Sequence, residues 1–152
     1  MGNRAVITTE DRRIGIYLHW NGGRDSVNAF LAYCNLKGYR CPELDNYGWA
    51  RLCQVIGNFF RGDSSVGIDE YRRLDRDNYD NGVYIIKDWK VIGRVYCHSG
   101  EQKGYELLDL MKFINSRMPE KEQVADEQIE KWCAEHGNEY NYDIVDMPED
   151  EE

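Results

Sequence analysis

Near the N-terminus apolar residues recur at every second position and then switch to a helical repeat. This change of period constrains the fold more than any other feature of the chain. Ile14, Ile16, Leu18 and Trp20 share one face of an extended segment, with Gly15, Tyr17 and His19 on the other. After Asn21-Gly22-Gly23, Val27, Phe30, Leu31 and Cys34 take up the i, i+3, i+4, i+7 spacing of an amphipathic helix. A chain that makes this switch repeatedly builds sheet and helix in one unit.

The switch recurs. Residues 4–9 and 14–20 read as strands of a hairpin turning at Glu10-Asp11-Arg12-Arg13. A second helix follows Asp45-Asn46, with Trp49, Leu52, Cys53, Ile56 and Phe60 as its stripe. Residues 64–68 suggest a short strand, and 69–81 a charged loop. A hairpin follows over 83–87 and 90–97, turning at Asp88-Trp89. Leu107, Leu110, Met111, Ile114 and Met118 mark a third helix, closed by Pro119. Residues 121–135 predict a fourth, with a narrow stripe of Ala125, Ile129, Trp132 and Cys133 ended at Gly137-Asn138. Hairpin-joined strands with helices between them predict an α+β fold: a mostly antiparallel sheet of four or five strands with helices on one face, plus an acidic C-terminal helix and tail. The expected organisation is a domain over 1–118, an acidic helix over 119–137, and an acidic tail over 138–152 that is partly disordered, with 146–152 lacking structure.

Charge is unevenly distributed. From Pro119 to Glu152 there are thirteen acidic and two basic residues, a balance of −11, whereas residues 1–118 carry 17 basic and 15 acidic ones, a balance of +2. Such asymmetry speaks to partners rather than to fold. It argues against direct nucleic-acid binding through this end and favours a basic partner. The helix-borne acids Glu122, Asp126, Glu127, Glu130 and Glu135 could be spaced rigidly enough to imitate phosphates, and Tyr140 and Tyr142 would serve as aromatic anchors beside them. Solvation of the tail is the plainer reading of the same charge.

Other candidates carry less chemistry. His19, Trp20, Asn21, Gly22, Gly23 and Arg24 end a strand and open a helix, a setting in which free amides, an arginine and an indole could receive a nucleotide-like anion. Neither the G-x-G-x-x-G nor the G-x-x-x-x-G-K-[ST] phosphate-loop pattern is present. His19 has no neighbouring serine or cysteine to activate. Aligning Gly82 with the glycine of a calcium loop puts Tyr79 where an oxygen ligand is needed, so 75–82 reads as a turn. Cys133 and His136 are two possible ligands without a third, and no metal or cofactor is expected. Five cysteines without a C-x-x-C pair or an apolar leader point to reduced thiols, and no apolar run reaches the ~20 residues a membrane span needs. The expectation is a protein of the bacterial cytoplasm that is not an enzyme; its oligomeric state is not legible.

Three stretches, Ile16-Tyr17-Leu18-His19-Trp20-Asn21-Gly22-Gly23, Tyr47-Gly48-Trp49-Ala50-Arg51-Leu52 and Asn81-Gly82-Val83-Tyr84-Ile85-Ile86, resemble a group of small proteins of phages and mobile elements of Firmicutes. The likeness covers most of residues 4–97 and brings no catalytic residues with it. It implies a genomic setting in which small acidic inhibitors of host defence occur, anti-CRISPR proteins among them. With the charge split, this yields an expected function: a non-enzymatic inhibitor or DNA mimic whose acidic surface engages a basic, nucleic-acid-handling effector. A binder or sponge for a nucleotide-like anion at the 21–24 turn is the alternative.

Overall fold

In the computed structural model, which describes residues 2–149, β1 (Ala5–Thr9) and β2 (Ile14–Leu18) form the expected hairpin, with Ala5 opposite Leu18 and Ile7 opposite Ile16. α1 (Arg24–Leu36) and α2 (Asn46–Phe59) follow. Then come β3 (Val66–Glu70), β4 (Val83–Lys87), β5 (Lys90–Val95), α3 (Leu107–Arg117), α4 (Asp126–His136) and a two-residue β6 (Asp146–Met147). The α+β class is as expected, but the sheet has six strands in the order β3-β2-β1-β4-β5-β6 and is mixed. β1 runs parallel to β4, and β5 parallel to β6, while the other three pairings are antiparallel. Alternation along a strand does not name its partner, so the parallel β1–β4 pairing, closed across more than seventy residues, had no local trace.

The helices pack on one face of the sheet. Ile7, Ile16, Leu18 and Tyr84 meet Phe30 and Leu52 there, all essentially without exposure. Fully burying an aliphatic side chain of this kind contributes about 1.5–3 kcal/mol. The opposite face carries a smaller cluster, in which Val6, Val83, Ile85 and Val95 are covered by Tyr71 and Leu74. The covering segment is the stretch read as a charged loop, and it explains why β1 is buried along its whole length. Gly82 (φ +65°) anchors that loop, since a Cβ there would lie 2.1 Å from the Val95 carbonyl oxygen.

The β4–β5 turn falls at Asp88-Trp89 as expected, with both residues at positive φ, 53° and 60°. This is the twist a two-residue hairpin requires, normally supplied by Asn-Gly. Here Trp89 offsets the strain by burial: it is 2% exposed, and its Nε1 donates to the Tyr39 carbonyl at 2.8 Å.

Beyond α4 the structure departs from the expected loose tail. Residues 137–140 form a 3-10 turn, Tyr140 is 3% exposed, and Asp146–Met147 pair with Arg94 and Val95 as an edge strand. Asp146 Oδ1 accepts the Cys97 amide at 2.8 Å, and Glu149 meets Arg76 at 2.5 Å. The segment docks because it carries Tyr140, which fills the core, and acids that find body cations; its acidity alone suggested otherwise. Residues 150–152 of the expected tail lie outside the described residues. Among the described residues no helix is long and apolar enough to cross a membrane.

Candidate partner-binding face

α4 stands at a fixed position because its inner side is apolar and its entry is clamped. Ile129 is fully buried, and Trp132 and Cys133 pack against the same core. Asn115 of α3, itself 4% exposed, donates from Nδ2 to the Val124 carbonyl at 2.8 Å and accepts the Val124 amide at 3.0 Å. The Tyr33 hydroxyl donates to the same Asn115 Oδ1 at 2.7 Å, tying the clamp to α1. The expected helix over 121–135 therefore divides into a 3-10 turn, Glu120–Glu122, and α4 proper from Asp126. No side chain caps α4, but Asp126 and Glu127 in its first turn oppose the positive end of the helix dipole.

The outward flank of α4 gathers acids around one cation. Lys112 of α3 bonds Glu130 at 2.6 Å. Its ammonium is held above its ordinary pKa by that hydrogen bond, which outweighs the opposing effect of burial, and then by the charges of Glu130, Asp126 and Asp109. Three carboxylates, of Glu130, Asp126 and Asp109, thus lie around Lys112, and Glu127 is exposed on α4. Phe113, 44% exposed on α3, adds an apolar surface nearby.

The expected partner-binding residues separate on this scaffold. Asp126, Glu127 and Glu130 belong to the flank. Glu135 is exposed beside His136 at 3.9 Å. Glu122 turns back to Lys37, which lies 4.0 Å from its carboxylate and also donates to its main-chain carbonyl. Tyr140 and Tyr142 are not surface anchors, which corrects the sequence reading. Tyr140 sits in the core with its carbonyl accepting Asn28 Nδ2 at 3.0 Å and its hydroxyl accepting Asn35 Nδ2 at 3.1 Å. Tyr142 is half-buried, donates to the Val91 carbonyl at 2.6 Å and lies under the Arg24 guanidinium at 4.7 Å. Both rings were placed beside the acids by sequence proximity, whereas the fold turns them inward.

The 19–24 turn is a packed junction. A Cβ at Gly22 would lie 2.4 Å from the Asn3 carbonyl oxygen, and one at Gly23 the same distance from Gln102 Oε1, so both glycines serve chain against chain. The α1 amides that would greet an anion are engaged: Asp25 N–H by the Gln102 carbonyl at 3.0 Å, Ser26 N–H by Asp25 Oδ1 at 2.8 Å, and Val27 N–H by the Gly23 carbonyl at 3.0 Å. Asn21 takes a positive φ of 57° and reaches Ser26 Oγ at 3.3 Å. Trp20 is 46% exposed with its ring edge-on to His19, and His19 Nδ1 pairs with the Tyr17 hydroxyl at 3.0 Å. Arg24 is buried and points to Glu101, 2.5 Å away, rather than to the turn's surface.

Glu101 also bonds Arg94, making a buried Arg24–Glu101–Arg94 triad that no spacing announced. The three residues come from α1, β5 and the loop before α3, and an arginine in a strand reads from sequence as solvent-facing. Among the described residues, the grouping with metal-ligand chemistry is Cys41, Glu43 and Asp88, whose ligand atoms lie within 4.8 Å of one another. Burial pushes the Cys41 thiol up to about 11, with Glu43 and Asp88 adding to the shift, and three ligands fall short of the four a structural zinc takes. No protein-family model matches the chain, and no curated protein or solved structure matches it significantly.

Proposed function

We propose that this protein is a non-enzymatic binding protein whose α3–α4 flank engages a basic surface on a nucleic-acid-handling effector, in the manner of a counter-defence inhibitor from a phage or mobile element. The observation that carries the reading is the placement of Asp109, Asp126 and Glu130 around Lys112, with Asp126 and Glu130 on a helix held by Ile129 and the Asn115 clamp. Carboxylates on a fixed helix present negative charge at set intervals, and a groove that normally receives phosphates attracts such a row with steep salt dependence. The active element in this reading is narrower than the acidic C-terminal quarter. It excludes Tyr140, which the core uses, Tyr142, which the Val91 carbonyl holds, and Glu149, which Arg76 holds.

The test compares the wild-type chain with an Asp126→Asn/Glu127→Gln/Glu130→Gln variant. Each is used to capture proteins from a bacterial host at low salt, and each captured effector is then competed with duplex DNA. The reading requires a nucleic-acid-handling effector that the wild type retains, that DNA displaces, and that the variant loses. Equal retention by the variant, at the same salt dependence, removes the flank as the acting surface.

A further inference from the structure

Two buried guanidiniums share one carboxylate. The side chains of Arg24 and Arg94 are 2% and 0% exposed, and Glu101, 14% exposed, is the acid that bonds both. Arg94 Nη2 donates to the Asn81 carbonyl at 2.9 Å and approaches Cys97 Sγ at 3.0 Å, and its guanidinium lies 4.0 Å over the Tyr84 ring. Arg24 Nε donates to Asn28 Oδ1 at 3.0 Å, but Arg24 Nη2, like Arg94 Nε, has no hydrogen-bond partner; of the two arginines it is Arg24 that lines a cleft. Buried charged donors are ordinarily satisfied, so an orphan of this kind calls for an explanation. The acids nearest Arg24 are occupied: Asp25 accepts the amides of Ser26 at 2.8 Å and Tyr105 at 3.2 Å, and Asp143 holds Lys103 at 2.7 Å.

Arg24 lies on the wall of a cleft of about 440 Å³ between the start of α1, the loop before α3 and the 137–142 segment. Lys103 shares that wall, and Leu107 and Leu108 make part of it apolar. The Tyr142 ring over the guanidinium screens Nη2 from solvent.

We infer that this cleft binds a small, singly charged carboxylate, with Arg24 and Lys103 taking the carboxylate, Leu107 and Leu108 the apolar remainder, and Tyr142 sliding off the guanidinium to admit it. The ligand supplies the second negative charge that the two arginines lack, and Lys103 exchanges Asp143 for it. Asp25 and Glu106 on the same wall disfavour a doubly charged anion such as phosphate. The site is separate from the acidic flank and from the packed 19–23 turn.

An amide NMR titration of the full chain with benzoate, and separately with inorganic phosphate, tests the assignment. Benzoate is expected to cause saturable shifts at residues 24–28, 102–108 and 140–142. Those at 91–92 should move with them as Tyr142 releases the Val91 carbonyl. Lys103→Ala, at an exposed site whose loss leaves the fold intact, should weaken benzoate at least about fivefold, and Arg24→Gln, where it folds, should abolish it. No saturable shift up to about 10 mM benzoate, an unchanged affinity in Lys103→Ala, or tighter binding of phosphate than of benzoate overturns the proposal.

Discussion

α4 and the segment from 137 to 149 are both rich in acids, yet the fold uses them in opposite ways. α4 faces the core through Ile129 and leaves Asp126, Glu127 and Glu130 outward, with Lys112 beside Asp126 and Glu130. The later segment is drawn back on the body: Glu139 meets Lys90 at 3.3 Å, Asp143 meets Lys103 at 2.7 Å, and Glu149 meets Arg76 at 2.5 Å. Exposed pairs of the first two kinds contribute little, because water screens them. What fixes the segment is burial of Tyr140 and the Tyr142–Val91 hydrogen bond, more than its exposed ion pairs. A segment's net charge therefore does not decide its availability. The side chains that share its surface decide it.

The comparison breaks most sharply at Tyr140. Tyr140→Ala opens a cavity beneath 137–142 and strands Asn35 Nδ2, and it is expected to lower unfolding free energy by about 3–5 kcal/mol in urea titrations. A loss under about 1 kcal/mol would mean the segment is merely resting on the body. On α4 the expectation reverses. The Asp126→Asn/Glu127→Gln/Glu130→Gln variant should keep stability within about 0.5 kcal/mol per site while partner affinity falls on the order of tenfold or more at low salt.

Glu149 sharpens the contrast through pH. Burial alone would raise its pKa, but the neighbouring Tyr96 and Tyr71 side chains and the Arg76 guanidinium, 2.5 Å away, outweigh it and hold the carboxyl below its ordinary range. A depressed folded-state pKa stabilises the fold above the unfolded value of about 4.3, and that stabilisation is lost as pH falls through the folded value. Wild-type stability should therefore decline below about pH 4.3 more steeply than that of Glu149→Gln, and parallel curves would place Glu149 outside the fold's ion pairs. The smallest effect belongs to Lys112→Ala. It removes an exposed pair, leaves stability nearly unchanged, and makes the flank more negative, so partner binding should tighten a few-fold in a salt-controlled titration.

Much of the element inventory was legible because it rests on local periodicity. The stripes Val27–Phe30–Leu31–Cys34 and Leu107–Leu110–Met111–Ile114 each announce a helix, and the polar run 10–13 announces a hairpin turn. The acidic flank was half legible: Asp126, Glu127 and Glu130 were named, whereas Asp109 and Lys112 join them only through the packing of α3 on α4. Tyr140 and Tyr142 were misplaced because an aromatic beside acids reads the same whether it faces solvent or core. The Arg24–Glu101–Arg94 triad was invisible, since its members lie seven to seventy-seven residues apart and only long-range contacts unite them.

The chain's order of periods determined the α+β class, the helices and the hairpins, because each depends on residues within one or two turns of one another. Tertiary structure alone decided the parallel β1–β4 pairing, the inward turn of the tyrosines and which carboxylates stay free. Those outcomes depend on which distant surfaces meet, and a burial or an ion pair exists only once both partners are in place.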